Sequence, residues 1–368
     1  MDVAILGATG SIGYQTFDVI NNLPHINVVA LAAGSDYESL MEMAKVLKPK
    51  LVALYDKDAA KKFNLPGIDV AAGMEGLLQC AVSGDLMVNA VVGSIGLRPT
   101  LAAIKANKAI AIANKETLVA AGSLVMQKGA DIRPMDSEHS AIWQCLQPEQ
   151  RDVKRLILTA SGGAFRSWPR EKIEKATAED ALQHPNWNMG PKITVDCATM
   201  MNKGLEYIEA HWLFNMPYDK IDIIVHPQSV IHSMVEFEDG ATLAQLAAPD
   251  MRQPIQYALT APARPKRPHQ SLDLTKPLTF EAPDYDRFPC LHLAIEAAKI
   301  GGTMTAMMNA VNEHLVAAFL NNQIGFYDIS RLIEQAMGIY NVKSVQALED
   351  VEEAELWAKE FCQKFLKY

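Results

Sequence analysis

The sequence is poor in cysteine, and the cysteines it has do not pair. Five (80, 145, 197, 290 and 362) are scattered over 368 residues without a CxxC spacing. That excludes a disulfide scaffold or a cysteine zinc site and points to reduced thiols in the cytoplasm. No apolar run reaches membrane-spanning length, so no membrane association is expected. Residues 3–6 (VAIL) already read as a strand, so no targeting segment is expected ahead of them. Positive charge is scarce: the formal net charge is -9, and the only dense basic run is Arg264-Pro265-Lys266-Arg267. Nonspecific nucleic-acid binding is excluded on that balance, and an anionic ligand must be held by local cationic groups. Internal repeats and low-complexity tracts are also missing. What is present is an ordinary globular composition, 49% hydrophobic and 21% charged. The length exceeds one ordinary core, so two or three domains are expected.

The N-terminal third alternates strand and helix. Residues 3–6 form a buried type of strand, GATGSIG follows at 7–13, and a helical pattern runs to about 20. A glycine turn between strand and helix exposes backbone N–H groups at the positive end of the helix dipole, a site for a pyrophosphate. The spacing is GxxGxxG rather than GxGxxG; a tight turn needing glycine for geometry alone is the plain alternative. Residues 27–33 read as the second strand, which puts Gly34, Ser35 and Asp36 where the adenosine ribose of a dinucleotide would lie. Strands at 51–55, 87–92 and 109–113, each followed by a helix, predict a doubly wound parallel sheet. The last strand ends in ANKE (113–116), at the carboxyl edge where such sheets bind ligands; Lys115 there suits an anion or a carbonyl oxygen.

The chemistry concentrates at PMDSEHS (134–140). Read as an extended or tightly turned segment, it aims Asp136 and Glu138 at one point. Two carboxylates so placed need a proton or a cation, and an all-oxygen pair suits Mg²⁺ or Mn²⁺ better than zinc. A solvated acidic turn is the alternative. After a strand at 156–160 come Ser161-Gly162-Gly163 and then HPNWNMG (184–190), a Pro- and Gly-bounded loop suited to closing over a ligand. Residues 193–196 read as a short strand, and a helix from Thr199 to about Leu213 places Asn202, Lys203 and Glu206 on one face. Strands are read at 221–225 and 229–237; His226 and His232, taken singly, are more often structural than catalytic. Residues 249–289, rich in Pro and Arg, read as a long connection. Helices at 290–300, 303–321, 327–338 and 344–366 predict a C-terminal helical bundle. A metal-free dehydrogenase and a non-catalytic dinucleotide sensor remain the alternatives on residues alone.

Taken together and in this order, GATGSIG, ANKE, MDSEHS (135–140), TASGG (159–163), HPNWNMG, VDCATMMNKG (195–204) with Glu206, and HPQSVIH (226–232) resemble the 1-deoxy-D-xylulose 5-phosphate reductoisomerase family over essentially the whole chain. The resemblance implies a Rossmann-like doubly wound domain (1–125), an α+β connecting catalytic domain carrying metal site and lid (126–288), and a helical bundle (289–368). It implies isomerisation of 1-deoxy-D-xylulose 5-phosphate, by retroaldol and aldol steps, and NADPH reduction to 2-C-methyl-D-erythritol 4-phosphate on the way to isoprenoid precursors. Thr9, Gly10, Ser11, Ile12, Gly34, Ser35, Asp36, Asn114, Glu116 and Gly190 would contact NADPH. Asp136, Glu138 and Glu206 would bind Mg²⁺, Mn²⁺ or Co²⁺. Lys115, Ser137 and Glu138 would meet the hydroxyl and carbonyl region of the substrate, and Ser161, Cys197, Asn202 and Lys203 its phosphate. Lys115, Glu138, His184 and His232 are the catalytic candidates, with Trp187 and Met189 on the lid. The family assembles as a homodimer. Two positions depart from its pattern. Cys197 replaces a serine, and a thiol is a weak donor, so phosphate binding should lose about 1 kcal/mol. Asp36 replaces a neutral residue and carries a charge that disfavours a 2′-phosphate.

Overall fold

A computed structural model describes residues 1–126, 129–146, 152–187 and 189–366. They fall into two compact units: 1–117 with 125–140 and 250–269, and 118–124 with 141–249 and 270–368.

The first unit is built on a seven-stranded sheet: β1 (Asp2–Leu6), β2 (Asn27–Ala33), β3 (Leu51–Leu54), β4 (Asp69–Ala72), β5 (Leu86–Asn89), β6 (Ala109–Ile112) and β7 (Ile132–Pro134). The order is β4-β3-β2-β1-β5-β6-β7, and every pairing is parallel. The strands are short and almost wholly apolar because both faces are covered. On one face Val3, Ile5, Val52 and Leu54 join a core with Leu40, Met43, Ile255 and Leu259 from the helices Tyr37–Leu47 and Arg252–Thr260. On the other face Ala53 meets the helix Gly73–Ser83, where a Cβ on Gly76 would stand 3.1 Å from that of Ala53. Strand order reverses between β1 and β5, so the switch point of the sheet lies at the carboxyl ends of those two strands. The glycine turn occupies it.

The second unit holds a four-stranded mixed sheet, β8 (Val153–Ala160), β9 (Ile221–Val225), β10 (Ile231–Phe237) and β11 (Thr242–Leu246), ordered β11-β10-β8-β9. Only β8 and β9 run parallel. The helix Met201–Phe214 packs on Pro289–Ile300 so closely that a Cβ on Gly204 would lie 2.3 Å from the Cβ of Ala294. Met304–Leu320, Phe326–Ile339 and Leu348–Phe365 complete the expected helical layer. No helix among the described residues is long and apolar enough to cross a membrane.

Three local readings are corrected. Residues 193–196 are not a strand but part of the helix Pro191–Ala198. Their β-branched run favours a strand locally, but Pro191 opens the helix. The Thr194 hydroxyl donates to the Gly190 carbonyl (2.8 Å), and Lys192 pairs with Asp196 one turn on (3.0 Å). Within the supposed connection of 249–289, Arg252–Thr260 is a helix; Pro254 lies in its first turn, where a missing N–H costs nothing. Asp136 and Glu138 do not share an extended segment, because the helix Ser137–Cys145 begins between them. The strands β4, β7 and β11 were not expected at all: they are three to five residues long and half exposed.

Gly7 has φ +81°, and a Cβ there would sit 2.4 Å from the Ala90 carbonyl oxygen; Gly34 has open space around it. Gly7→Ala is therefore expected to cost about 3 kcal/mol or more, and Gly34→Ala less than about 0.5 kcal/mol. Thermal unfolding of the two variants checks this, and equal midpoints would contradict it.

Candidate active site

The glycine turn is a cradle of backbone. Gly7 and Ala8 donate to the Ala32 carbonyl (2.9 Å each), and Gly10 N–H returns to the Gly7 carbonyl (3.0 Å). Gly13 is forced by packing, since its Cβ would lie 2.3 Å from the carbonyl oxygens of Gly7 and Ala8. Gly10 caps the helix Ser11–Ile20 without a side chain. The first-turn N–H groups therefore face outward beside half-buried Thr9 and Ile12 and exposed Ser11. A pyrophosphate fits such a terminus. Gly34 and Ser35 are exposed beyond β2. Asp36 caps the helix Tyr37–Leu47, its Oδ1 accepting from Ser39 N–H (3.0 Å). Asn performs that cap equally well.

Asn114 is buried, and its side-chain amide donates to the carbonyls of Val91 (3.0 Å) and Gly93 (2.9 Å) and to Glu116 Oε2 (2.9 Å). It ties the end of β6 to the segment after β5 and thereby shapes the switch-point crevice. Glu116 is buried beside it.

Register explains the next pair. β6 and β7 lie side by side with Ile112 opposite Pro134. Lys115 follows one and Asp136 the other, so their head groups meet: Nζ to Oδ2 is 2.8 Å, with side chains 7% and 16% exposed. Asp136 Oδ1 also accepts from Ser137 N–H (3.0 Å), and the Ser137 hydroxyl donates to Glu138 Oε2 (2.6 Å). Both carboxylates thus cluster at a helix start, where the dipole favours negative charge.

The second unit gathers another set. Met200 adopts left-handed backbone (φ 62°) between the helices Pro191–Ala198 and Met201–Phe214, which sets the direction of the second. In its first two turns Asn202 and Lys203 both donate to Glu206, on Oε1 and Oε2 respectively, and all three are buried. The parallel run of β8 ends at Ala160; Ser161 comes next, and Gly162 and Gly163 follow with φ 85° and 69°. A Cβ on Gly163 would stand 2.3 Å from the Cys197 carbonyl, so this turn abuts the end of the Cys197 helix. The Ser161 hydroxyl lies 2.9 Å from His184 Nε2. Trp187 faces His232 at 6.0 Å between ring centroids, and buried His232 lies 3.2 Å from the Ala247 carbonyl through Nε2. Met189 and Gly190 are half-buried, Gly190 capping the helix Pro191–Ala198; Asn188 lies outside the described residues. His226 is structural as read: Nδ1 meets the Thr279 carbonyl (2.9 Å) and Nε2 accepts from Val230 N–H (3.2 Å).

The first unit brings together Lys115, Asp136, Ser137 and Glu138, and the second brings Asn202 and Lys203 to Glu206, Ser161 to His184, and Trp187 to His232. Several supporting groups were missed. Asn186 holds the 184–187 turn to the Pro227 carbonyl (2.6 Å) and the Ser229 hydroxyl (3.0 Å). Asn312 donates to buried Asp196 (2.8 Å), fastening the Cys197 helix to Met304–Leu320. The adjacency of Asn186 to His184 was the available signal for the first; nothing in sequence links 196 to 312.

A parallel sheet with a glycine cradle at its switch point, and carboxylates buried against ammonium groups, define a dinucleotide-dependent α/β enzyme. Models of the 1-deoxy-D-xylulose 5-phosphate reductoisomerase family match residues 3–122, and those of its C-terminal domains match 132–214 and 246–361. Proteins of that name from Heliobacterium modesticaldum and Bacillus cereus are each 50% identical, over 98% of this chain and 96% and 98% of theirs. The structure of the Zymomonas mobilis enzyme in complex with NADPH superposes with TM-score 0.92 at 44% identity, covering 99% of this chain and 98% of that one. A reductoisomerase structure with NADPH, fosmidomycin and magnesium gives 0.93 at 37% identity, covering 99% of both chains. The chain belongs to the 1-deoxy-D-xylulose 5-phosphate reductoisomerase family.

The cap at Asp36 gives a direct test of local structure. Asp36→Ala should destabilise by about 1 kcal/mol, and Asp36→Asn should be neutral within about 0.5 kcal/mol. Denaturation midpoints decide it; equal losses would show that the cap contributes nothing.

Proposed function

We propose that this chain converts 1-deoxy-D-xylulose 5-phosphate into 2-C-methyl-D-erythritol 4-phosphate, using NADPH and a divalent metal ion, in the methylerythritol phosphate route to isoprenoid precursors. The observation that carries the reading is the pair of carboxylate–ammonium clusters, Lys115 with Asp136 and Lys203 with Glu206, in a chain 50% identical to enzymes of that name. The metal ligands are Asp136, Glu138 and Glu206. Their donor set fits the group: three carboxylates and no sulfur or nitrogen suit Mg²⁺, Mn²⁺ or Co²⁺. The glycine cradle likewise fits a pyrophosphate, because Gly10 opens the helix Ser11–Ile20 with no side-chain cap, at the end where the helix dipole favours an anion. When bound, the ion supplies a Lewis acid for adjacent carbonyl and hydroxyl oxygens, and NADPH supplies the hydride.

The chain's own residues do the rest. Thr9, Gly10, Ser11 and Ile12 receive the pyrophosphate; Gly34, Ser35 and Asp36 lie along the adenosine side, with Asn114, Glu116 and Gly190 completing the cofactor set. Lys115 holds a buried positive charge beside the oxygen on which negative charge develops, where low dielectric makes it effective. Ser137 and Glu138 orient the hydroxyl and carbonyl region. Ser161, Cys197, Asn202 and Lys203 bind the phosphate. Trp187, Met189 and His232 cover the substrate and exclude water. We place the domains at 1–125, 126–288 and 289–368, and read the enzyme as a cytoplasmic homodimer.

The test is NADPH consumption on addition of deoxyxylulose phosphate and Mg²⁺. Turnover should require both and stop with chelator. Turnover that persists in chelator refutes the metal reading. Asp36 makes the nicotinamide preference informative: Asp36→Asn should raise kcat/KM with NADPH relative to NADH, and a fall would show that its charge does not face the 2′ position.

A further inference from the structure

Two asparagines at neighbouring strand ends hold the turn that follows β5. Asn89, the last residue of β5, is fully buried. Its side-chain amide donates to the Gly96 carbonyl (3.2 Å) and to the Thr100 hydroxyl (2.8 Å), and its Oδ1 accepts from Val91 N–H (3.4 Å). Thr100 is equally buried, and its own proton goes to the Gly96 carbonyl (2.8 Å). Both amide protons of Asn89 and the proton of Thr100 are therefore engaged inside the protein. The Asn89 carbonyl accepts from Ala113 and Asn114 N–H (2.9 and 3.2 Å), which ties this node to the end of β6. From there the Asn114 amide reaches back to the Val91 and Gly93 carbonyls. Val91 is thus pinned on both sides, its N–H by Asn89 and its C=O by Asn114.

The pinning decides what the next residue presents. The C=O and N–H of a trans peptide point in opposite directions. With the Val91 carbonyl turned onto the buried Asn114 amide, the Val92 N–H is turned away from it. The Val92 side chain is 73% exposed, so an apolar surface lies beside that donor. No side chain is admitted at Gly96, where a Cβ would lie 2.5 Å from Asn114 Oδ1. The turn also abuts the glycine cradle, since a Cβ on Gly7 would stand 2.8 Å from the Val91 nitrogen. A dinucleotide lies across a switch point with one nucleotide on each half of the sheet. Its adenosine half belongs past β2, at Gly34 to Asp36; the half past β5 is left for the nicotinamide.

We propose that Asn89 is a positioning residue for the reduction: through Gly96, Thr100 and Val91 it fixes the turn 90–96 as the seat of the nicotinamide half of the cofactor. The exposed Val92 side chain suits the flat apolar face of the ring, and the Val92 N–H suits a carboxamide oxygen. Asn89 touches neither cofactor nor substrate. The inference rests on the NADPH reading given above; the hydrogen-bond node itself does not.

Calorimetric titration of the full chain with two ligands tests it: NADPH, and 2′-phospho-ADP-ribose, which lacks the nicotinamide. Thr100→Val is nearly isosteric and takes from Asn89 one of its two acceptors. It should weaken NADPH about tenfold and leave 2′-phospho-ADP-ribose within about twofold, as for a lost buried hydrogen bond felt on one side of the switch point only. Thr100→Ser keeps the hydroxyl and should restore most of the affinity. Asn89→Ala should show the same selective loss, and adding Thr100→Val to it should cost little more, because both act through one node. If Asn89→Ala does not fold, the two Thr100 variants still decide. Equal weakening of both ligands, unchanged NADPH affinity in Thr100→Val, or a Thr100→Ser variant as impaired as Thr100→Val overturns the proposal. A wild-type chain that binds no NADPH overturns the function proposed above and this inference with it; binding in the wild type without the selective loss overturns this inference alone.

Discussion

Buried carboxylates need compensating charge, and the candidate site is organised by that requirement. An ionised carboxyl taken out of water costs several kcal/mol unless a cation and hydrogen bonds replace its hydration. Glu206 is almost fully buried, and Lys203 and Asn202 each donate to it from within the same helix. Asp136 is mostly buried against Lys115. Such pairs do not add much stability; removing one member would leave an uncompensated charge.

The backbone delivers these side chains in two ways. In the first unit the delivery is by register: parallel β6 and β7 end side by side, so residues just past each end meet. In the second unit it is by helix periodicity, with Asn202, Lys203 and Glu206 three and four residues apart on one helix. Glycine does the remaining shaping. Gly7 lets the chain turn against Ala90 at the switch point, and Gly163 lets the Ser161 turn approach the Cys197 carbonyl. Asn114, Asn186 and Asn312 are the fasteners, each bonding to a distant segment.

Much of this was legible in the sequence, for physical reasons. Short apolar runs followed by glycine and helical periodicity announce a parallel sheet, because both faces of each strand are buried. The C-terminal helices were readable because their apolar stripes recur every three to four residues. The β-branched run at 193–195 misled, since its helix depends on Pro191 and on the Lys192–Asp196 pair rather than on propensity. Pro254 misled in the opposite sense, because proline breaks a helix interior but not a first turn. The carboxylate couple at 136 and 138 was found for a partly wrong reason: it is assembled at a helix start and not along a strand. Contacts set only by folding, such as Asn312 on Asp196, leave no local trace.

We propose that Asp136, Glu138 and Glu206, remote in the chain, act as one ligand set. Titration of the metal-free protein with Mn²⁺, followed by electron paramagnetic resonance, addresses it without substrate or cofactor. The account predicts one tightly held ion per chain, with affinity falling at least about tenfold in Glu206→Gln and in Asp136→Asn alike. Undiminished Mn²⁺ binding in Glu206→Gln would contradict it.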